Sequence, residues 1–95
     1  MASAEETYDL LAQRAATTDE PITYGDLADL TGVPTRFQGA MLGKLSRICA
    51  SVGEPDLTAM VVSVETGEVA HGHGSEDPAA ERRACHAFHS ARVQG

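Results

Sequence analysis

Cationic side chains in the middle of the chain have the spacing of one side of an α-helix. Four residues follow one line along such a helix at spacings of 4, 4 and 3: Arg36, Ala40, Lys44 and Arg47. Residues 30–53 contain no acid, although 14 of the 95 residues are acidic. Because the formal charge of the whole chain is −7, the three cations leave −10 for the remaining residues. This polarity predicts that the segment binds an anionic partner.

The cationic helix has the features of a helix that recognises DNA. In a helix-turn-helix, the second helix enters the major groove with its N-terminal residues. Here those residues include Arg36, which can bind guanine through two hydrogen bonds, and Gln38, which can bind adenine. The remaining candidates are predicted to contact the DNA backbone: Tyr24, Thr35, Lys44 and Arg47. Two alternatives stay open, since three cations are also found on ordinary solvated faces and Tyr24 can instead pack on the core.

Histidine and cysteine residues near the C-terminus form a second chemical group. His71 and His73 alternate at the end of a predicted strand, and Cys85 and His89 share a helix face. Two ligands from a loop and two from a helix could form a tetrahedral zinc site. The spacing matches no standard zinc finger, so we predict no metal and no cofactor, and these four residues are the candidates if one binds. The adjacent residues Cys85 and His86 diverge on a helix, so no catalytic pair and no enzyme activity is predicted.

Length and composition are those of one small globular domain over residues 1–95. The sequence is 42 % apolar and 22 % charged, with few aromatic residues. It has no run of 18 apolar residues and no visible secretory signal, so we expect no membrane association. Two cysteines do not make a disulfide framework. A reducing, cytoplasmic setting is therefore the default expectation.

Helix and strand signals alternate in a recognisable order. Apolar periodicity and caps predict helices at about residues 4–16, 25–31, 35–52 and 79–93, with a short extended piece at Ile22–Thr23. Residues 57–64 are rich in β-branched side chains and predict a strand that turns at residues 65–68 and returns at residues 69–71. A helix-turn-helix followed by a hairpin is typical of an α+β winged helix-turn-helix. The last helix is an addition to that fold.

The third predicted helix has an apolar stripe that we expect to be buried. Its members lie 4, 4, 3 and 4 residues apart: Phe37, Met41, Leu45, Ile48 and Val52. Cys49, beside this stripe, is predicted to be a small buried hydrophobe, and Met60 a further core residue. The cations would then lie on the flank of a helix that packs against the rest of the domain.

One short segment resembles a known DNA-binding family. Residues 22–28, I-T-Y-G-D-L-A, resemble the I-T-Y-G-E-L-A box in the winged-helix domain of alkyltransferase and alkyltransferase-like proteins, and the resemblance covers residues 22–42. It implies that Tyr24 contacts a target phosphate. The Pro-Cys-His-Arg motif that accepts the alkyl group in that family is absent, because A-C-H-A at residues 84–87 differs from it and falls in another element. The resemblance therefore implies DNA binding without alkyl transfer.

A second resemblance concerns residues 57–67. The sequence L-T-A-M-V-V at residues 57–62, followed by Thr66 and Gly67, is similar to small bacterial and phage winged-helix domains, which implies a role in DNA transactions.

Together these features predict a non-catalytic DNA-binding protein with residues 35–52 as the recognition helix. With three cations on that helix and the acids Glu65 and Glu68 at the wing tip, a monomer would bind weakly and need a homodimer or a protein partner. The alternative is a protein-interaction module, in which the acidic body, or the small-residue helix face at Gly39 and Gly43, docks a partner or a second copy.

Overall fold

A computed structural model describes residues 3–63 and 77–94 of the chain. In chain order the elements are α1 (Ala4–Thr17), β1 (Ile22–Thr23), α2 (Tyr24–Thr31), α3 (Thr35–Ser51), a 3₁₀ turn (Leu57–Met60), β2 (Val61–Val62) and α4 (Pro78–Gln94). The described residues thus form a small, mostly helical domain with four α-helices and a two-stranded parallel sheet. All four predicted helices are confirmed, with bounds that differ by at most one residue.

The first two helices begin where the caps in the sequence place them. Ser3 Oγ accepts a hydrogen bond from the backbone N–H of Glu6 at 3.1 Å, and Thr23 Oγ1 accepts one from Asp26 N–H at 3.2 Å. Each bond satisfies one of the N–H groups that a helix start leaves unpaired. Side-chain caps therefore decide where α1 and α2 start.

A three-residue turn joins α2 to α3. Gly32 adopts φ of 72°, the left-handed conformation that favours glycine, and its N–H donates to Ala28 O at 2.8 Å. Pro34 then occupies the position before α3, where its fixed φ suits the start of a helix. These two residues end α2 and start α3 within the three residues 32–34.

The buried side of α3 differs from the predicted stripe. The buried residues are Gln38, Leu42, Leu45 and Cys49, whereas Phe37 and Val52 are 50 % and 58 % exposed. The prediction was right for Leu45 and Cys49, wrong for Phe37 and Val52, and half right for Met41 and Ile48, which are half-buried. Both sets have helical spacing, so periodicity alone could not choose between them. The rotation of α3 in the structure places Leu42 and Cys49 in the core and lets the amide of Gln38 bond to the preceding turn.

The described part of the predicted hairpin contains a turn and a short strand that pairs in parallel with β1. Leu57–Met60 forms a 3₁₀ turn, and Val61–Val62 pairs in parallel with Ile22–Thr23, in the register Ile22 with Val61 and Thr23 with Val62. The prediction of a strand from residue 57 was therefore wrong for its first four residues. The turn at residues 65–68 and the returning strand at residues 69–71 lie outside the described residues.

Asp56 gives the physical reason for the turn. Its Oδ1 accepts hydrogen bonds from Thr58 N–H at 3.0 Å and from the Thr58 hydroxyl at 2.7 Å. Such side-chain bonds to a nearby backbone N–H favour a turn over a strand. The four turn residues are all buried, so their apolar character serves the core and not one face of a hairpin.

The last helix is part of the core and packs along α1. Cys85 is fully buried, His86 Nδ1 lies 2.7 Å from Ala15 O, and Arg82 Nη1 donates to Ala59 O at 3.1 Å. The core contains aliphatic and sulfur-containing side chains from every element: Leu11, Ala15, Ile22, Leu27, Leu42, Leu45, Cys49, Leu57, Met60, Val61 and Cys85. Within residues 3–63 and 77–94, no helix is both long enough and apolar enough to span a membrane.

Candidate nucleic-acid interface

The outer side of α3 presents the cationic line that the sequence contains. All four residues of that line are exposed: Arg36, Ala40, Lys44 and Arg47. Gly39, which lies beside them, is exposed as well. The opposite side of the helix is the buried seam that begins at Gln38. Packing therefore leaves the cations, separated by small residues, free to approach another molecule.

The start of α3 adds positive potential to this side. Neither a side-chain cap nor an acidic residue occurs in its first turn. The backbone N–H groups at a helix start carry partial positive charge, so an uncapped end favours an anion nearby. Thr35, the first helical residue, is exposed there beside Arg36. Helix dipole and guanidinium thus act with the same sign at this end.

Gln38 does not reach this surface, so its predicted contact with adenine is wrong. The side chain has no exposed area. Its Nε2 donates to Val33 O at 3.1 Å and to Tyr24 O at 3.3 Å. Gln38 instead links the start of α2, the turn and α3, and so holds the cationic helix in its orientation. Because glutamine is polar, the sequence alone favoured an exposed position for Gln38.

Phe37 is the surface residue that sequence reasoning missed. Its ring is 50 % exposed, and the guanidinium carbon of Arg36 lies 4.9 Å from the ring centroid. That distance is within the range of a cation–π contact. The sequence contains a second set of residues with helical spacing, 38, 42, 45 and 49, whose burial would leave Phe37 exposed. Because this set begins with the polar Gln38, it was not recognised as the buried side.

Tyr24 occupies an intermediate position. It is half-buried and packs at the edge of the core, where desolvation raises the pKa of its hydroxyl. Packing on the core, one of the two alternatives for this residue, is therefore confirmed. The predicted phosphate contact stays a prediction.

Acidic residues are exposed on α2, the helix that precedes the turn. Asp26 and Asp29 are exposed on that helix, and Asp26 lies in its first turn. In a helix-turn-helix the first helix crosses the DNA backbone, and carboxylates there repel phosphates. The charge pattern consequently confines favourable contact with a polyanion to α3 and its N-terminal end.

The candidate metal ligands are only partly within the described residues. His71 and His73 lie outside them. Cys85 and His89 are buried one helical turn apart on α4, and burial raises the pKa of the Cys85 thiol to about 12. A protonated thiol is a poor ligand and a poor nucleophile. Among residues 3–63 and 77–94, no group of His, Cys, Asp and Glu side chains is arranged to hold a metal ion.

The structure thus leaves Arg36, Lys44 and Arg47 exposed on one helix side and Thr35 exposed at the start of the helix, buries Gln38, and adds Phe37 to the exposed residues. Comparison of the chain with models of known protein families, with curated proteins and with solved structures found no match.

Proposed function

We propose that this chain is a non-catalytic DNA-binding domain of the helix-turn-helix class, with α3 as its recognition helix. The observation that supports this most directly is the exposure of Arg36, Lys44 and Arg47 on one side of the helix that follows the three-residue turn. The absence of acids from residues 30–53 gives that side an uninterrupted positive sign.

The length of α3 allows its N-terminal end to contact bases while its C-terminal part contacts phosphates. Arg36 and Arg47 are separated by a rise of about 16 Å, which exceeds the width of the major groove, about 12 Å. With the N-terminal end in the groove, Arg36 can bind guanine and Phe37 can contact a thymine methyl group. Lys44 and Arg47 then lie at the groove edge, where phosphates are. Thr35 and Tyr24 complete the backbone contacts.

Few phosphates are neutralised in this arrangement. Three cations on α3 predict a slope of about −2.7 when log Kobs is plotted against log salt concentration. Such binding is weak for a monomer. A homodimer, or a partner that adds its own contacts, would supply the missing affinity. The proposal does not depend on the hairpin wing that the sequence predicts within residues 57–71.

The test is fluorescence anisotropy with a labelled random duplex at several salt concentrations. We expect Kd values of about 10⁻⁴ to 10⁻⁶ M, and a slope that becomes shallower by about 1.8 in the double variant Arg36→Ala, Lys44→Ala. Arg83→Ala, which removes an exposed cation from α4, is the matched control and should leave the slope unchanged. Absence of binding at about 100 μM protein in low salt would contradict the proposal.

A second candidate function is protein interaction. It is favoured by exposed large hydrophobic residues: Leu30 at 63 %, Val52 at 58 % and Phe37 at 50 %. Together with the acidic body, these side chains fit a partner chain better than they fit DNA. This function predicts a stable dimer or a protein that co-purifies. A chain that sediments as a monomer and retains no partner would contradict it.

A further inference from the structure

A hollow of about 280 Å³ lies between α1 and α4. α3 contributes none of its lining residues, so it is separate from the cationic helix side. The lining is divided between the two helices, with four residues from α1 and two from α4: Tyr8, Asp9, Ala12, Gln13, His89 and Arg92. Five of these six side chains are polar or ionisable, which makes the hollow a candidate site for a small polar ligand.

The wall formed by α4 contains a buried polar atom without a partner. His89 is 3 % exposed, and its Nε2 has no hydrogen-bond partner among the residues that the structure describes. Buried polar atoms in proteins are nearly always paired, because an unpaired one loses its hydration without compensation. The ring is held by edge contacts with Tyr8, at 6.1 Å between centroids, and with Phe88, at 4.9 Å. Because Nε2 is itself buried, a ligand atom can pair with it only if the ring or a neighbouring side chain shifts to open a path from the hollow.

The charge state of His89 is set by its surroundings. Desolvation lowers its pKa, the Arg92 charge lowers it further, and the Glu54 carboxylate opposes both. The imidazole is therefore neutral at neutral pH. A neutral ring with its proton on Nε2 donates one hydrogen bond there.

Opposite charges line the two sides of the hollow. Arg92 follows His89 by three residues and so lies on the same helix face. Its Nη1 donates to Tyr8 Oη at 3.1 Å and lies 3.6 Å from Glu54 Oε2, while Tyr8 Oη also bonds to Glu54. A guanidinium group has five N–H donors, so these contacts leave donors for a ligand. On the α1 side, Asp9 and Gln13 are exposed one turn apart.

We propose that this hollow binds a free α-amino acid, with the ligand carboxylate on Arg92 and His89 Nε2 and the ligand ammonium group on Asp9. The carboxylate accepts charge-assisted hydrogen bonds from the guanidinium group and one from the imidazole N–H. Asp9 on the facing helix accepts from the ammonium group. The cationic and anionic sides together select a zwitterion over an ion of a single charge. This site does not depend on DNA binding, and no bond is made or broken in it.

NMR of the imidazole resonances tests the proposal on the full chain. L-alanine is titrated at constant ionic strength, and acetate and methylammonium are titrated separately as probes that carry one of the two charges. We expect a saturable shift of the His89 resonances with L-alanine, and at least about tenfold weaker binding of each single-charge probe, because one charge-assisted hydrogen bond contributes about that factor or more. A response that stays linear up to about 10 mM L-alanine would overturn the site. Equal affinity for acetate would overturn its selectivity for zwitterions.

Variants of exposed residues separate the site from general electrostatics. Asp9→Asn and Arg92→Gln should each weaken L-alanine binding about tenfold or more. Asp19→Asn and Arg83→Gln remove the same charges from exposed positions outside the hollow and should leave binding unchanged. Circular dichroism of each variant checks that the fold is retained. Equal losses in the site variants and the controls would overturn the proposal.

Discussion

Replacement of Gln38 tests whether this residue supports the fold or contacts DNA. In the structure it has no exposed area, and its Nε2 bridges Val33 O and Tyr24 O. Gln38→Ala removes both hydrogen bonds and leaves a cavity at the point where α2, the turn and α3 meet. The structure predicts a loss of stability, whereas a base contact at the surface would predict a loss of affinity alone.

The expected magnitude follows from those contacts. Each neutral hydrogen bond contributes about 0.5–1.5 kcal/mol net, and truncation of a buried side chain adds a cavity cost. We therefore expect Gln38→Ala to lower the free energy of unfolding by about 2–4 kcal/mol. In a domain of this size, a change of 1 kcal/mol shifts Tm by about 4–8 °C. Gln38→Leu restores most of the side-chain volume but not the two donated hydrogen bonds. Its loss of stability should therefore be smaller than that of Gln38→Ala but greater than zero.

Urea unfolding followed by circular dichroism measures this loss. Gln13→Ala removes an exposed glutamine from α1 and should change stability by less than about 0.5 kcal/mol. DNA binding is measured in parallel, at a temperature where all variants are folded. If Gln38→Ala is as stable as the wild type and binds DNA more weakly, the assignment of Gln38 to the turn is refuted and the base contact is restored.

Three further predictions concern single positions. In urea unfolding, Gly32→Ala should lower stability by about 1 kcal/mol or more, because φ of 72° strains any residue with a Cβ. Gly39→Ala is the control, since a Cβ there meets nothing within 4 Å. This control should raise stability by about 0.5–1 kcal/mol. His89 has a lowered pKa in the folded state, so the unfolded chain takes up the proton first and stability should fall as pH falls below 6.5; His89→Gln should remove this component, and an unchanged pH profile would contradict the burial of the neutral ring. Cys85, with its pKa raised to about 12, should react with a thiol reagent only as fast as the protein unfolds, whereas a denaturant-independent rate would show that the thiol is accessible.

Local signals in the sequence located the helices well. Ser3 and Thr23 mark the starts of α1 and α2 because a side-chain oxygen three residues before a backbone N–H can pair with it in either the isolated segment or the fold. Gly32 marks the end of α2 for a similar reason, since only local backbone geometry decides where a left-handed residue is needed. The exposure of the cations on α3 was predicted from spacing alone.

The parallel pairing of β1 with β2 could not be predicted from such local signals. The sequence contains a run of β-forming residues at 57–64 and a second, short run at 69–71. Because the two runs are close in the chain, the sequence predicts that they pair as a hairpin. The structure pairs Val61–Val62 with Ile22–Thr23 in parallel, across nearly forty residues of chain. A parallel pair needs a crossover, and here α2 and α3 provide it, so the choice of partner depends on how those helices pack.

What the sequence by itself determined is the position of the four helices and the cationic line on α3. What only the tertiary structure decided is which side of α3 is buried, and therefore that Gln38 lies inside and Phe37 outside. The physical reason is that residues 37 and 38, which lie about 100° apart around the helix, begin two overlapping stripes that share Leu45. Helical periodicity accepts either stripe, and the tertiary structure buries the one in which Leu42, Leu45 and Cys49 enter the core and Gln38 bonds to Val33 and Tyr24.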